Sequence, residues 1–348
     1  MSSNQHYVPQ FYLRFFSKDK KSLCLLERRN GRIATRGSIK GQASKKGFYG
    51  DERVESALSE LEGVFSGLLR RIVDEGNLDW LGDTEHLLLL QNLMLQRART
   101  VSARAKHKEW NDMMVRLQME IGINNDDKLT EEEKQRFRKE LEHIEANPVR
   151  FQLEGMQVAL ENAGSLADLR PLLLVNRTNR PFFTCDAPVV LTNPHMRLIK
   201  IRGVLGTQTP GLLLLFPVNP EYCLMLIDVH CYTVKGVRGS KLPLRNLKDV
   251  LVLNKLQLHH SSSVIYFHDY HLSNYASEIW RSEKTKLVDH TGKVNQAPGI
   301  DESGTAMGDI IHSYEDQLPL VPSFTFLKYS SITENEYVFS TREERTSS

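Results

Sequence analysis

The chain reads as an α+β protein: an N-terminal β-hairpin, a helical middle, then a mixed sheet with a late helix packed on it. Three features predict this. Short strand-like runs flank Asn30-Gly31, apolar residues recur at helical spacing from residue 51 onward, and beyond Ala163-Gly164 the sequence turns to short β-rich runs punctuated by Pro and Gly. That order does not fit the strict alternation of a doubly wound parallel sheet.

Residues 21–37, KSLCLLERRNGRIATRG, predict the hairpin, with Asn30-Gly31 suited to the positive φ angles of a type I′ turn. Val54, Leu58, Leu61, Phe65, Leu68, Leu69 and Ile72 then recur at spacings of three and four, the period of an amphipathic helix. A second helix, entered through Asp83 or Thr84 and running LLLLQNLMLQRARTVSARAK, has the leucine content of a central buried element. These elements make up a first region, 1–103. Residues 104–165 stay helical but become polar, with NNDDKLTEEEKQRFRKELEHIE at their centre and a break at Asn147-Pro148, and are expected to be a charged helical insertion. Over 166–328 the runs LLLVN, PFFTCDAPVVLT, RLIKIRGV, LLLLFPV and EYCLMLIDV predict several strands on the same core. Residues 245–263 return to helical period and lead into VIYFHD, a further strand; 281–310 read as loop and 329–348 as a mobile tail.

Composition narrows the class. A chain of 348 residues with 40% hydrophobic content suits one large domain or two lobes. Its net charge of +2, from 45 basic and 43 acidic residues, gives no global bias toward nucleic acid or an anionic membrane. The opening MSSNQHYVPQFYLRFF lacks the basic and then apolar segments of a secretory signal, and the longest apolar runs fall far short of the ~20 residues that span a bilayer. Cys24, Cys185, Cys223 and Cys231 match neither a disulfide scaffold nor a CxxC knuckle, so reduced thiols in a cytoplasmic protein are expected.

The common catalytic signatures are missing: no GxxxxGK[ST], GxGxxG, HExxH or GxSxG. His259, His260, His268 and His271 lie close together, but no cysteine or carboxylate pattern completes a zinc spacing. Three polar features remain. The run from Asn4 to Phe16 packs His6, Tyr7, Gln10 and Tyr12 among large apolar groups, which predicts a terminus laid against the core. Pro9 biases Val8 toward extended backbone, so His6 and Tyr7 should sit on an extended segment. Gln91 and Asn254 interrupt apolar helical stripes, with Gln257 three residues beyond Asn254, and buried amides require partners, protein or ligand. Finally, Asp186 follows the strand-like PFFTC, a place suited either to turn chemistry or to a fixed carboxylate.

The HYVPQFYLRFF run, Phe48-Tyr49 with the Glu55 and Glu62 helix, the TCDAPV run and the Asn254 helix together resemble the HYVPQ-type domain-of-unknown-function family, number 4238, over about residues 4–270. That family usually reads Ser-Asp-Asn-Pro where this chain has Cys185-Asp186-Ala187-Pro188, so the Asp and Pro match. The resemblance implies positions, not a reaction.

Two functions follow from these residues. One is a metal-dependent hydrolase of the nuclease or phosphodiesterase type, with His6 as general base or ligand, and Asp186 and Glu62 holding a divalent ion such as Mg²⁺ or Mn²⁺. Tyr7, Gln10, Gln91, Arg97, Arg99, Asn254 and Gln257 would line its site, and Arg97, Arg99, Arg104, Lys106 and Lys108 would meet phosphates of a nucleic acid or a phosphate-containing small molecule, unless they form a solvated helix surface. The other is a non-catalytic ligand sensor or protein-interaction module. A role as a bacterial toxin or defence effector has only the chain's size and type behind it.

Overall fold

The N-terminal motif enters the fold as a short strand. In the computed structural model, which describes residues 4–200, 203–289, 292–300, 305–337 and 340–342, β1 (Asn4–His6) runs antiparallel to β4 (Ser44–Lys46). Between them lie α1 (Gln10–Leu13) and the hairpin of β2 (Ser22–Glu27) and β3 (Ile33–Ser38). Its turn is not type I′, because Gly31 has φ +72° while Asn30 stays at negative φ. The Asn30 amide braces the turn instead, donating to Glu27 at 2.9 Å and accepting from the Arg32 N–H at 2.8 Å. Gly31 is required twice over: a Cβ there would lie 2.6 Å from the Trp280 ring.

Local signals set the helices. Asp51 caps α2 (Glu52–Glu75) by accepting from the Arg53 N–H at 2.8 Å, and Gly76 at φ +60° ends it. Leu58, Phe65, Leu69 and Ile72 form its buried face. α3 (Asp83–Ala98) follows, and Thr100 caps α4 (Val101–Asn124). A capping box of Thr130 and Glu133 opens α5 (Glu131–Leu141), and Asn147-Pro148 opens α6 (Pro148–Glu161). Region 104–165 is therefore not an insertion throughout. α5 buries Leu141 alone, but α6 lies along α3 and carries Met156 into the main core.

The central sheet has five strands: β5 (Arg170–Asn176), β7 (Val190–Thr192), β8 (Leu213–Pro217), β9 (Tyr222–Ile227) and β11 (Lys241–Leu244), in the order β11-β5-β9-β8-β7. It is mixed, as expected, because β11 runs parallel to β5 and the other pairs are antiparallel. Leu214, Phe216, Leu224 and Leu226 share a core with the N-terminal motif, α2, α3 and α6. Leu213, Leu215, Cys223 and Met225 face a second core with α7 (Leu247–His260) and the late residues Leu318, Phe324 and Phe326. Burial on both faces is why these strands read as unbroken apolar runs.

The hairpin joins β6 (Thr184–Cys185) and β12 (Val264–Phe267) in a four-stranded antiparallel sheet of order β3-β2-β12-β6, packed against α8 (Ser273–Glu283). Two expectations change further on. Within the supposed loop 281–310, β13 (Gly292–Ile300) pairs with β14 (Ala306–Glu315). β15 (Leu327–Lys328) pairs with β10 (Thr233–Val234), and the supposed mobile tail beyond it, 329–348, is anchored in its described part: the Ile332 N–H donates to the His195 carbonyl at 2.9 Å, and Arg342, 3% exposed, holds Asp168 at 2.6 Å and the Ser165 carbonyl at 2.7 Å. Residues 343–348 lie outside the described part. No helix of the described residues is long and apolar enough to cross a membrane, and the four cysteines are free thiols.

Candidate functional site

The N-terminal motif is built into the core by both its apolar and its polar groups. Tyr7, Val8, Tyr12, Leu13 and Phe16 are buried. Gln5 acts as a backbone clip, accepting from the Tyr49 N–H at 2.6 Å. The Tyr12 hydroxyl donates to the Pro217 carbonyl at 2.7 Å and lies 2.6 Å from the Thr184 hydroxyl, which tethers the motif to both sheets. Gln10 stays at the surface and accepts from Arg14 at 3.3 Å.

Arg99 is the hub beneath this motif. Only 3% exposed, it donates from Nε to the Tyr49 hydroxyl at 3.1 Å, from Nη1 to Glu62 at 2.8 Å, and from Nη2 to the His6 carbonyl at 2.6 Å. His6 is half-buried and donates from Nε2 to the Lys40 carbonyl at 3.2 Å. Burial holds its imidazole below the usual range, against the raising effects of that hydrogen bond and the Glu62 charge. Glu55 stands two helical turns before Glu62, on the same face of α2. Its Oε2 is buried with no hydrogen-bond partner, and burial pushes the carboxyl up, with Arg99 opposing and Glu62 reinforcing the shift. The fold thus gathers His6, Glu62 and Arg99, and adds Glu55 and Tyr49.

Asp186 has a different task. It is 1% exposed, and its two oxygens accept the Ser262 and Ser263 N–H groups at 2.8 Å each, fastening the exit of β6 to the turn between α7 and β12. Burial pushes the carboxyl up to about 6 against these hydrogen bonds. Its charge acts on Tyr7, Tyr266 and Cys185, whereas the charges acting on His6 are those of Glu62 and Arg99. The expected metal pair of Asp186 and Glu62 is corrected accordingly. Among the described residues no group of three or more His, Cys, Asp and Glu is arranged to hold a metal ion.

The amides brace the same strand. Asn254 accepts from the Phe183 N–H at 2.8 Å and donates to the Pro181 carbonyl at 3.0 Å, while Gln257 donates to the Pro188 carbonyl at 3.1 Å. Gln91 is half-exposed rather than inward. The buried arc of α3 runs through Leu89, Leu93 and Gln96, and leaves Leu87 43% exposed. Gln96 is the internal amide, donating to the Tyr7 carbonyl at 2.9 Å. The grouped histidines are engaged separately, His259 with Glu283 at 3.0 Å and His260 with the Ala187 carbonyl at 2.7 Å.

The basic series is not a solvated face. Arg97 and Lys106 both grip Glu315 of β14. Arg104 lies 3.8 Å from the centroid of the Phe48 ring and donates to the Phe48 carbonyl at 2.6 Å and to Gln152 at 2.7 Å. Only Lys108 is well exposed, between Asp112 and Glu145. Long-range partners engage these side chains, and nothing local in the sequence announced them.

Beside this cluster lies a cleft of about 840 Å³ between the adjoining ends of α3 and α4 on one side and α6 on the other. Met94, Ala98, Val101, Phe151, Val158 and Ala159 supply a predominantly apolar floor, and Arg97, Arg104, His107 and Lys108 stand at its edges. The sequence signal for it was small residues on facing helices, Ala98 and Ala103 opposite Gly155 and Ala159, which leave room where leucines would fill it.

No curated protein and no solved structure matches the chain. The profile of the family described as Protein of unknown function (DUF4238) matches residues 4–271, the stretch that carries the N-terminal motif, the Arg99 hub, the cleft and the Asp186 brace. The chain belongs to that family.

Proposed function

We propose that this protein is a ligand-binding module whose site is the cleft between α4 and α6, acting in the reducing cytoplasm that its unpaired cysteines suit. The observation that carries this reading is the cleft itself. Its volume of about 840 Å³ falls within the range of roughly 300–1,000 Å³ usual for small-molecule sites, and it joins an apolar floor to a few polar groups. Gly155 offers a test, because a Cβ built there meets nothing within 4 Å and the residue lies on the cleft wall. Gly155→Phe should fill the cleft without strain in α6. Binding of the neutral dye Nile red, read by its fluorescence, should fall at least tenfold in this variant while the melting temperature holds or rises. Equal binding by both proteins would remove the cleft as a site.

One observation favours hydrolysis of a nuclease or phosphodiesterase substrate at the Arg99 hub. A half-buried imidazole held below its usual pKa, the direction that frees it as a base, shares Arg99 and Glu62 with Glu55, a carboxyl held above its own, the direction that suits a general acid. Cleavage of mixed DNA, RNA or phosphodiester substrates, lost in folded His6→Ala and Glu62→Gln variants, would support it. Parallel reactions with Mg²⁺, Mn²⁺ or a chelator read its metal dependence, and no cleavage under any of them refutes it.

A further inference from the structure

The charges around the cleft are unevenly placed. Arg104, on its wall, has no carboxylate partner among the described residues; its Nε and Nη2 go to an amide and a carbonyl. Arg97, also on the wall, shares the single Glu315 carboxylate with Lys106, so two positive charges meet one negative. Lys108, by contrast, is matched twice, by Asp112 and Glu145.

A second observation marks the Arg97 side. Arg97 and His107 line both the cleft and an adjoining chamber of only about 10 Å³, which is also bounded by Thr100, Ser102, Lys106 and His260. Ser102 is 4% exposed and its hydroxyl has no hydrogen-bond partner; the Nε of Arg97 is likewise buried and unpartnered. Buried donors without acceptors are costly; the chamber has room for about one water, and on the cleft side an acidic oxygen is the acceptor that suits a guanidinium. His107 adds no opposing charge. Burial first, then Arg97 and Lys106, hold its imidazole below the usual range, with Glu315 pulling the other way.

Resting on the reading of the cleft as a binding site, we propose that its ligand is an amphipathic anion, whose apolar body lies along Met94, Ala98, Val101 and Phe151 and whose carboxylate or phosphate head is held by Arg97 and Arg104. A charge-assisted hydrogen bond contributes enough to set the acid apart from a neutral analogue by about tenfold or more.

The test is calorimetric titration of the full chain with decanoate, decyl phosphate, decanol and inorganic phosphate. Either amphipathic acid should bind at least tenfold more tightly than decanol and than inorganic phosphate. Arg104→Gln should erase most of the preference for acid over alcohol and leave decanol affinity unchanged, and Arg104→Lys, which keeps the charge, should recover part of it. Decanol binding as tightly as the acids would overturn the anionic head, and inorganic phosphate binding as tightly as decyl phosphate would overturn the apolar body; both leave the cleft itself as the site. No binding by any of the amphiphiles, or equal binding by wild type and Gly155→Phe, would overturn the cleft reading instead.

Discussion

Removing the Arg99 guanidinium tests the hub directly. Arg99→Met keeps an unbranched apolar stem but leaves Glu62, the Tyr49 hydroxyl and the His6 carbonyl without their shared donor. Hydrogen bonds to a charged group contribute roughly 1.5–3 kcal/mol each, and breaking a buried ion pair from one side costs about 3–5 kcal/mol. Glu62 retains some solvent contact, with its side chain 27% exposed, which places the expected loss near the lower limit, at about 3 kcal/mol. Urea unfolding followed by the fluorescence of Trp80, Trp110 and Trp280 measures it. With a slope of about 3 kcal/mol/M for a chain of this size, the midpoint should fall by about 1 M. Arg99→Lys, able to keep the Glu62 pair but not the forked contacts, should lie between. Adding Glu62→Gln to Arg99→Met should cost much less than Glu62→Gln costs alone, because the carboxylate has already lost its partner. A loss under about 1 kcal/mol, or strict additivity with Glu62→Gln, would refute the hub.

Two further outcomes follow. The folded Asp186 carboxyl, at about 6, stands above its ordinary value of 3.8, so its contribution to stability is greatest below pH 4 and is lost as pH rises to 6, by roughly 3 kcal/mol. Melting temperatures of wild type and Asp186→Asn from pH 4 to 7 should show that slope in wild type alone, and a constant difference between the two curves would sink it. On α3, Gln96→Ala should cost about 1–3 kcal/mol by stranding the Tyr7 carbonyl, while Gln91→Ala should stay within about 0.5 kcal/mol; the reverse order in chemical denaturation would show that the wrong amide faces inward.

What could be read from the sequence was what depends on neighbours. Helical period found α2, α3 and α7, the Asn147-Pro148 break marked the start of α6, and the aromatic density around Tyr7 and Tyr12 marked a packed terminus. What could not be read depended on distant pairing. The basic residues after Met94 look solvated until Glu315 and Phe48 are brought to them. The β13–β14 hairpin has Gly and Pro within it and pairs only with itself in its sheet, so it lacks the apolar alternation that betrays a half-buried strand. The Gln91 stripe failed by phase: the positions spaced along it are regular, but the tertiary contacts of α3 with α6 and α2 centre elsewhere on the helix. At the candidate site, His6, Glu62 and Arg99 were each nameable from residue type, while their meeting was not, because Arg99 reaches across 93 positions to the His6 carbonyl.

The similarity to the family ends at residue 271, but the folding unit does not. Leu318, Phe324 and Phe326 close one face of the central sheet, and Arg342 clasps Asp168 and Ser165, far back in the chain. A fragment cut at the family boundary would keep α7 but expose the part of that apolar face the late residues cover, and would be expected to self-associate. Shared ancestry and physical autonomy therefore have different borders in this chain.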